Sequence, residues 1–286
     1  MSTKQLEATI IIPTYDHGMT IRHPIQCLRE QSVGDFEAIV IGDGVPDSLK
    51  GELLRLINQD KRFSFIDHPK HERRGEPFRH ESLMRARGHI VCYLCDRDLW
   101  LPNHLEQMLE LLSKSDFAHS LPLHVLPDGS YRTFPVDLGF DGYRHMMLTM
   151  NDNRIPFSCF AHTLSAYRAL KEGWTTTPSE YWTDLYMFRK FFAAEKLIGS
   201  SGILPTAITF PSPPRKGWTE SERLAELNMW QKRLDNETGR ITFENEVLRN
   251  TVLKQREEAA RLGQLASQLH KQIEKNKLNS IMRGFT

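Results

Sequence analysis

The sequence predicts an α/β fold with a mainly parallel sheet, and three observations predict it. Short β-branched runs alternate with helix-patterned stretches through the first third of the chain. Turn-rich segments at 13–16, 42–44 and 96–98 stop three of those runs at their carboxyl ends. The last run, Ile90-Val91-Cys92-Tyr93-Leu94, leads into two carboxylates one residue apart, Asp96 and Asp98. Ligands of open α/β sheets collect at strand carboxyl ends, so one site can gather all three turns.

The elements follow in order. Ala8-Thr9-Ile10-Ile11-Ile12-Pro13 is a β-branched run closed by proline, the mark of a buried strand. Residues 21–31 predict a helix with Ile21, Ile25 and Leu28 on one face. Residues 36–41 form a second strand, stopped by Gly42-Asp43-Gly44. Asp47 can cap the next helix, whose stripe is Leu49, Leu53, Leu56 and Ile57. Residues 63–66 are a third strand, 81–87 a helix ended by Gly88, 89–95 a fourth strand and 105–112 a further helix. From 117 to 215 the pattern is mixed, with an aromatic and polar block at 174–192 and a proline-rich exit at 205–214 that looks like a boundary. Residues 220–282 contain no proline, and Leu248, Leu262, Leu265, Leu269 and Ile273 make an apolar stripe there. Gln255, Gln272 and Asn276 interrupt a strict heptad, so either a coiled coil or a helical extension packed on its own domain fits. The expected division is 1–215 for the α/β domain and 216–286 for the helical extension.

Composition narrows the function. With 286 residues, 40% hydrophobic and 26% charged, the chain has the make-up of a globular protein. A net charge of +1 gives no electrostatic reason to expect nucleic acid as a partner. No apolar run approaches the roughly 20 residues that span a bilayer, and no signal peptide is evident. A cytoplasmic location is expected, with the inner membrane face open to the charged tail. Cys92 and Cys95 lack a second pair at zinc-ribbon spacing, and residues three apart on a strand point to opposite faces, so buried reduced thiols are expected.

Asp43, Asp96 and Asp98 are the acids that stand out. Asp43, in its Gly-Asp-Gly turn, is placed to hydrogen-bond a base or ribose, and a turn aspartate reads the same way. Asp96 and Asp98 can ligate Mg2+ or Mn2+, and through it a diphosphate; capping of the following helix is the plainer role. His68-Pro69-Lys70-His71-Glu72-Arg73-Arg74 is a dense polar loop after the third strand, suited to folding over phosphates. No phosphate loop of the Gly-x-x-x-x-Gly-Lys type and no Gly-x-Gly-x-x-Gly fingerprint occurs, which leaves kinase and dehydrogenase readings without support.

Taken together, these motifs resemble the inverting glycosyltransferases of family 2, which have the GT-A fold. Ile10-Ile11-Ile12-Pro13-Thr14-Tyr15-Asp16 looks like the family's first strand and nucleotide loop, and 27–32 like its Leu-x-x-Gln helix. Residues 37–44 look like the strand leading to Asp-Asp-Gly, with Gly42 replacing the first acid. Arg79 with Ala86-Arg87-Gly88 matches the stretch before the metal strand. The resemblance implies a Rossmann-like domain with a mixed central sheet and a nucleoside-diphosphate-sugar donor, UDP-linked by preference. It places Pro13, Thr14, Tyr15, Asp16, Asp43, Arg79, Asp96 and Arg97 at that donor. It further implies a glycan or glycoconjugate acceptor, as in polysaccharide biosynthesis, and a hexosyltransferase-type activity.

The metal strand departs from the family pattern. Counting back from Pro102 puts Arg97 where the metal-binding acid is expected, with Asp96 and Asp98 on either side. Either the two acids still hold Mn2+ or Mg2+, or Arg97 meets the diphosphate itself. Farther on, Asp184 with Arg189 five residues later resembles the segment carrying the catalytic base, with Glu180 as a stand-in. At a helix N-terminus Asp184 should have a lowered pKa. Trp182 and Trp174 could stack on the acceptor sugar, and His162 falls where the family places acceptor residues; core packing is the alternative for each. Two further functions fit less: a nucleotidyltransferase, and a non-catalytic nucleotide-binding protein that assembles as a homo-oligomer through its C-terminal helices.

Overall fold

The structure is a computed structural model that describes residues 5–283, and side chains from 5 to 275. Asn276 therefore lies outside the described side chains. Packing divides the chain into Met1–Arg240 and Ile241–Thr286.

The first unit opens with β1 (Leu6–Thr14), a 3-10 turn at Gly18–Ile21 and α1 (Arg22–Arg29). There follow β2 (Phe36–Asp43), α2 (Asp47–Ile57), β3 (Phe63–His68), α3 (Glu76–Met84), β4 (Gly88–Tyr93), β5 (Leu99–Trp100) and α4 (His104–Leu112). Next come β6 (Phe117–His119), β7 (Leu123–Val125), β8 (Tyr131–Thr133), α5 (Asp141–Thr149), β9 (Phe160–Thr163), α6 (Leu164–Ala169) and α7 (Thr183–Phe192). β10 (Gly199–Ser201), β11 (Ala207–Ile208) and α8 (Glu220–Leu234) complete it, and α9 (Glu237–Arg283) runs on into the second unit.

Seven strands form the central sheet in the order β10-β6-β9-β4-β1-β2-β3. β1 pairs in parallel with β2 and β4, and β2 with β3. β9 runs antiparallel to β4 and β6, so the sheet is mixed. Ile10, Ile11 and Ile12 of the central strand are buried within 1% of completely, which explains its continuous β-branched run. Each contributes about 1.5–3 kcal/mol of burial.

From β1 the chain goes to β2 and β3 on one side and then to β4 on the other. The carboxyl ends of β1 and β4 therefore flank the topological switch point, where open α/β sheets bind ligands. α3 begins at Glu76, five residues before the expected helix, because Pro77 suits the first helical turn and Gly75, at φ 67°, supplies the sharp entry. Asp47 sits inside the first turn of α2 and pairs with Lys50 at 2.8 Å, with Pro46 at the N-cap.

The expected boundary at 215 falls inside the first unit. α8 starts with a capping box, Thr219 with Glu222, and Glu220 Oε1 accepts the Met19 N–H at 2.7 Å. His23 Nδ1 lies 2.6 Å from Gln231 Oε1, and Arg215, 1% exposed, pairs with Glu226. The composition changes after the prolines, but these contacts keep α8 on the α/β domain. In the second unit, Leu262, Leu265, Leu269 and Ile273 lie exposed along α9. Among the described residues no helix is long and apolar enough to cross a membrane.

Candidate active site

The carboxyl ends of β1, β2 and β4 open into a cavity of about 820 Å³, within the usual range for small-ligand sites. Pro13, Thr14, Tyr15, Asp16, Asp43, Arg79, Asp96, Arg97, Asp98, Trp182 and Asp184 all line it. Residues from five separate stretches of sequence thus share one hollow.

Thr14, the last residue of β1, and His17, beyond its end, reach across the switch point to Asp96. Thr14 Oγ1 donates to Asp96 Oδ2 at 3.0 Å, and His17 Nδ1 lies 2.9 Å from Oδ1. Burial pushes the Asp96 carboxyl up, but His17, Arg97 and the Thr14 hydroxyl outweigh it and hold it below the usual range. Asp98 is equally engaged: Ser158 Oγ donates to Oδ2 at 2.5 Å and Phe210 N to Oδ1 at 2.8 Å. Arg97, between them in sequence, donates from Nε to Phe210 O at 3.1 Å and keeps Nη1 3.6 Å from Asp96.

These contacts bear on a metal. A divalent cation takes oxygen ligands that are free to turn toward it. Both oxygens of Asp96 and both of Asp98 already accept hydrogen bonds from the protein, and a guanidinium lies beside them. Among the described residues no three His, Cys, Asp or Glu side chains gather to hold a metal ion. Asp96 and Asp98, expected as ligands of Mn2+ or Mg2+, thus have every carboxylate oxygen engaged by a protein donor in this arrangement.

Asp43 is also occupied rather than open. Lys70 Nζ donates to Oδ2 at 2.7 Å and His71 N to Oδ1 at 2.6 Å. The polar loop after β3 thus folds back onto the turn after β2. Gly44 permits it: its φ is +80°, and a Cβ there would come within 2.9 Å of the Lys70 backbone. Arg73 Nη2 extends the loop toward the Pro178 and Tyr181 carbonyls, at 3.4 Å each.

Asp184 stands in the first turn of α7, with Trp182 at the N-cap. Its pKa is raised, not lowered as the helix N-terminus suggested. Burial is the largest cause, and it prevails over the opposing charges of Arg79, Arg74 and Arg97. Thr183, beside it, donates to the buried Glu76 at 3.4 Å, which ties α7 to α3. Arg79 stacks over Phe157 and Trp174 at 5.2 and 4.9 Å and donates to Arg74 O at 2.7 Å. Its Nε and Nη1 have no hydrogen-bond partner among the described residues.

Two of the residues weighed for the acceptor, His162 and Trp174, lie buried. His162 is wholly buried on β9, with Nε2 2.8 Å from the Tyr93 hydroxyl, and burial depresses its pKa to about 4. It packs in the core, away from the cavity, because β9 lies between two strands. Trp174 is likewise 2% exposed and donates to Tyr93. Trp182, 53% exposed at the cavity wall, remains available to a ligand. Glu180 is exposed and outside the cavity lining.

The structure adds wall residues that sequence reasoning did not single out: His17, His124, Phe157 and the segment Thr209 to Pro213. The proline-rich exit is therefore part of the site. β11 pairs antiparallel with β5, immediately after Asp98, and so delivers Phe210 to Arg97 and Asp98. Nothing in the local sequence reports that pairing.

Sheet order and structural likeness together define an α/β protein of the GT-A type. The chain belongs to glycosyl transferase family 2, whose model matches residues 9–174, more than half its length. The amylovoran biosynthesis glycosyltransferase AmsB of Erwinia amylovora is 25% identical over 138 residues, 45% of this chain and 45% of that protein. The match thus spans about half of that relative. Among solved structures, the mannosyltransferase PcManGT from Pyrobaculum calidifontis, in complex with GDP-Man and Mn2+, has a TM-score of 0.53 at 15% identity, covering 76% of this chain and 59% of that one. S. aureus TarS 1-349 in complex with UDP-GlcNAc has a TM-score of 0.54 at 14% identity, covering 85% and 70%. At those identities the likeness establishes the fold.

Proposed function

We propose that this chain is an inverting glycosyltransferase that moves a sugar from a nucleoside-diphosphate sugar to a hydroxyl of a glycan or glycoconjugate. The observation that carries the reading is Asp184, a half-buried carboxylate with a raised pKa in the same cavity as Arg74, Arg79 and Arg97. A base and a set of fixed cations are what a one-step displacement at an anomeric carbon needs.

The nucleoside lies at Pro13 to Asp16 and Asp43, and its diphosphate on the arginines. Asp184 takes the proton of the acceptor hydroxyl as its oxygen bonds to the anomeric carbon. The bond from that carbon to the phosphate oxygen breaks with its electron pair on the leaving diphosphate. No covalent enzyme intermediate forms, so the configuration inverts. Trp182, exposed at the wall, offers a stacking face to the acceptor sugar. We favour a UDP-linked donor; both UDP-GlcNAc and GDP-Man appear with structural relatives.

The test is a donor and acceptor screen that measures release of UDP or GDP. Transfer by the native chain and its loss in Asp184→Asn, with UDP binding retained, supports the reading. Asp184→Asn turning over at the native rate removes the assigned base, and nucleotide binding without transfer to any acceptor leaves the non-catalytic role instead.

We also propose self-association through α9. Leu248, Val252, Ala259, Leu262, Ala266, Leu269 and Ile273 recur at alternating three- and four-residue steps, with Gln255 as the one polar member. A second copy of the same helix complements that seam. Light scattering of Leu262→Asp/Leu269→Asp should give a lower mass than the native chain, and a monomeric native chain sinks the idea. The four free thiols fit a reducing cytoplasm as the place of action.

A further inference from the structure

We propose that the donor diphosphate is held by the Arg97 guanidinium in place of a divalent cation, so that nucleotide binding by this chain does not depend on metal. The inference rests on the nucleotide-sugar reading of the cavity and goes beyond it by naming what neutralises the leaving group.

The acids come first. Asp96 and Asp98 spend their four carboxylate oxygens on Thr14, His17, Ser158 and the Phe210 amide. A cation bound there would compete for these oxygens with the contacts that join β1 to β4 and that bind residue 210 to the site. Ser158 would lose its anchor as well, since its Oγ also accepts from Cys95 N at 2.9 Å. A cation would further stand close to a guanidinium already 3.6 Å from Asp96, and like charges at such range repel strongly in a half-buried site.

The cations come next. Lys70 is committed to Asp43 and to two backbone carbonyls. Arg73 reaches the Pro178 and Tyr181 carbonyls, and Arg79 lies 4% exposed beneath Phe157 and Trp174. Arg74 is exposed at the cavity wall, whereas Arg97 lines the cavity beside Asp96 with its side chain only 20% exposed and its Nε already held by Phe210 O. Neither Nη group makes a hydrogen bond among the described residues; Nη1 rests 3.6 Å from Asp96, and Nη2 remains for a ligand. That bond to Phe210 O holds the fork in place before any ligand arrives. Burial opposes the charge, but Cys95, Asp98, Asp96 and Asp184 outweigh it and raise the Arg97 pKa, so the charge persists at every working pH.

The chemistry suits the task. A guanidinium offers paired N–H donors that match two phosphate oxygens. As the bond between the anomeric carbon and the phosphate oxygen breaks, the electron pair moves onto that oxygen. Arg97 strengthens its hydrogen bonds to the growing charge and transfers no proton.

The experiment is calorimetric titration of the full chain with UDP and with GDP, in EDTA and in Mn2+. The native affinity should agree within about twofold between the two conditions. Arg97→Ala should weaken UDP by roughly 10–100-fold, as expected for a charge-assisted contact, and UMP by far less. Arg97→Lys should recover part of the loss, which a merely structural arginine would not. Arg97→Asp should make UDP binding respond to Mn2+. A native chain that needs Mn2+ for tight UDP binding overturns the inference while leaving the glycosyltransferase reading standing, as does an Arg97→Ala variant that binds UDP normally. No binding of either nucleotide in either condition defeats both.

Discussion

At the scale of single residues, Asp184, the base we propose, would couple function to stability. Its pKa is raised by burial, so the folded state favours the protonated acid. The stability associated with the neutral carboxyl is complete below the ordinary aspartate pKa and is lost as pH rises through the folded value. At neutral pH the ionised side chain therefore costs stability, and it is the ionised form that accepts a proton. Asp184→Asn should lower kcat by about 10²–10⁴-fold and raise the melting temperature. The native rate should fall on the acid side at a pH above the usual aspartate range. A variant that loses activity and melts lower contradicts the assigned electrostatics. His162 makes the opposite case. Its ring is locked between Tyr93 and the Thr163 carbonyl, so His162→Ala should cost about 2–4 kcal/mol in denaturant unfolding. The acceptor KM should not move; a selective rise in that KM would return His162 to the acceptor site.

At the scale of elements, the site depends on segments that cross the sheet. The loop after β3 lies on Gly44, where only a residue without a Cβ tolerates both φ +80° and the Lys70 backbone. Gly44→Ala should displace Lys70 from Asp43 and cost about 1–3 kcal/mol, with UDP affinity falling as well. Melting and titration on the same preparation check both, and unchanged values in both would show that the loop does not brace the site. The run from β11 through Pro213 does similar work on the other wall. It was legible in the sequence only as a proline-rich stretch. Its role comes from the pairing of Ala207 with Trp100 and of Ile208 with Leu99, two residues each. A pairing that short has no periodicity for a sequence pattern to reveal.

At the scale of the whole molecule, buried histidines set the response to acid. Burial depresses His104 to about 3 and His119 and His162 to about 4, from 6.5. Each is neutral in the folded state and protonates readily once unfolded. The unfolded chain thus binds more protons below about pH 6.5, and stability falls as pH drops from there toward 4. Melting temperatures should decline steadily over that window. A flat profile between pH 7 and 5 would mean that these rings are not held neutral.

The sequence by itself determined the α/β frame, the strand ends and most of the cavity's acids. β-branched runs, helix stripes and the turns at 13–16, 42–44 and 96–98 are local signals, and local signals survive in one dimension. It also placed Arg97 between Asp96 and Asp98. Only the tertiary structure decided what those residues face. Thr14 and His17 meet Asp96 across the switch point, Ser158 and Phe210 close on Asp98, and Lys70 covers Asp43. Whether a carboxylate is free or engaged depends on partners as many as 112 residues away, as for Asp98 and Phe210. The same holds for the sign of the Asp184 shift, because burial is a property of the assembled fold and outweighs the helix terminus that the sequence reveals.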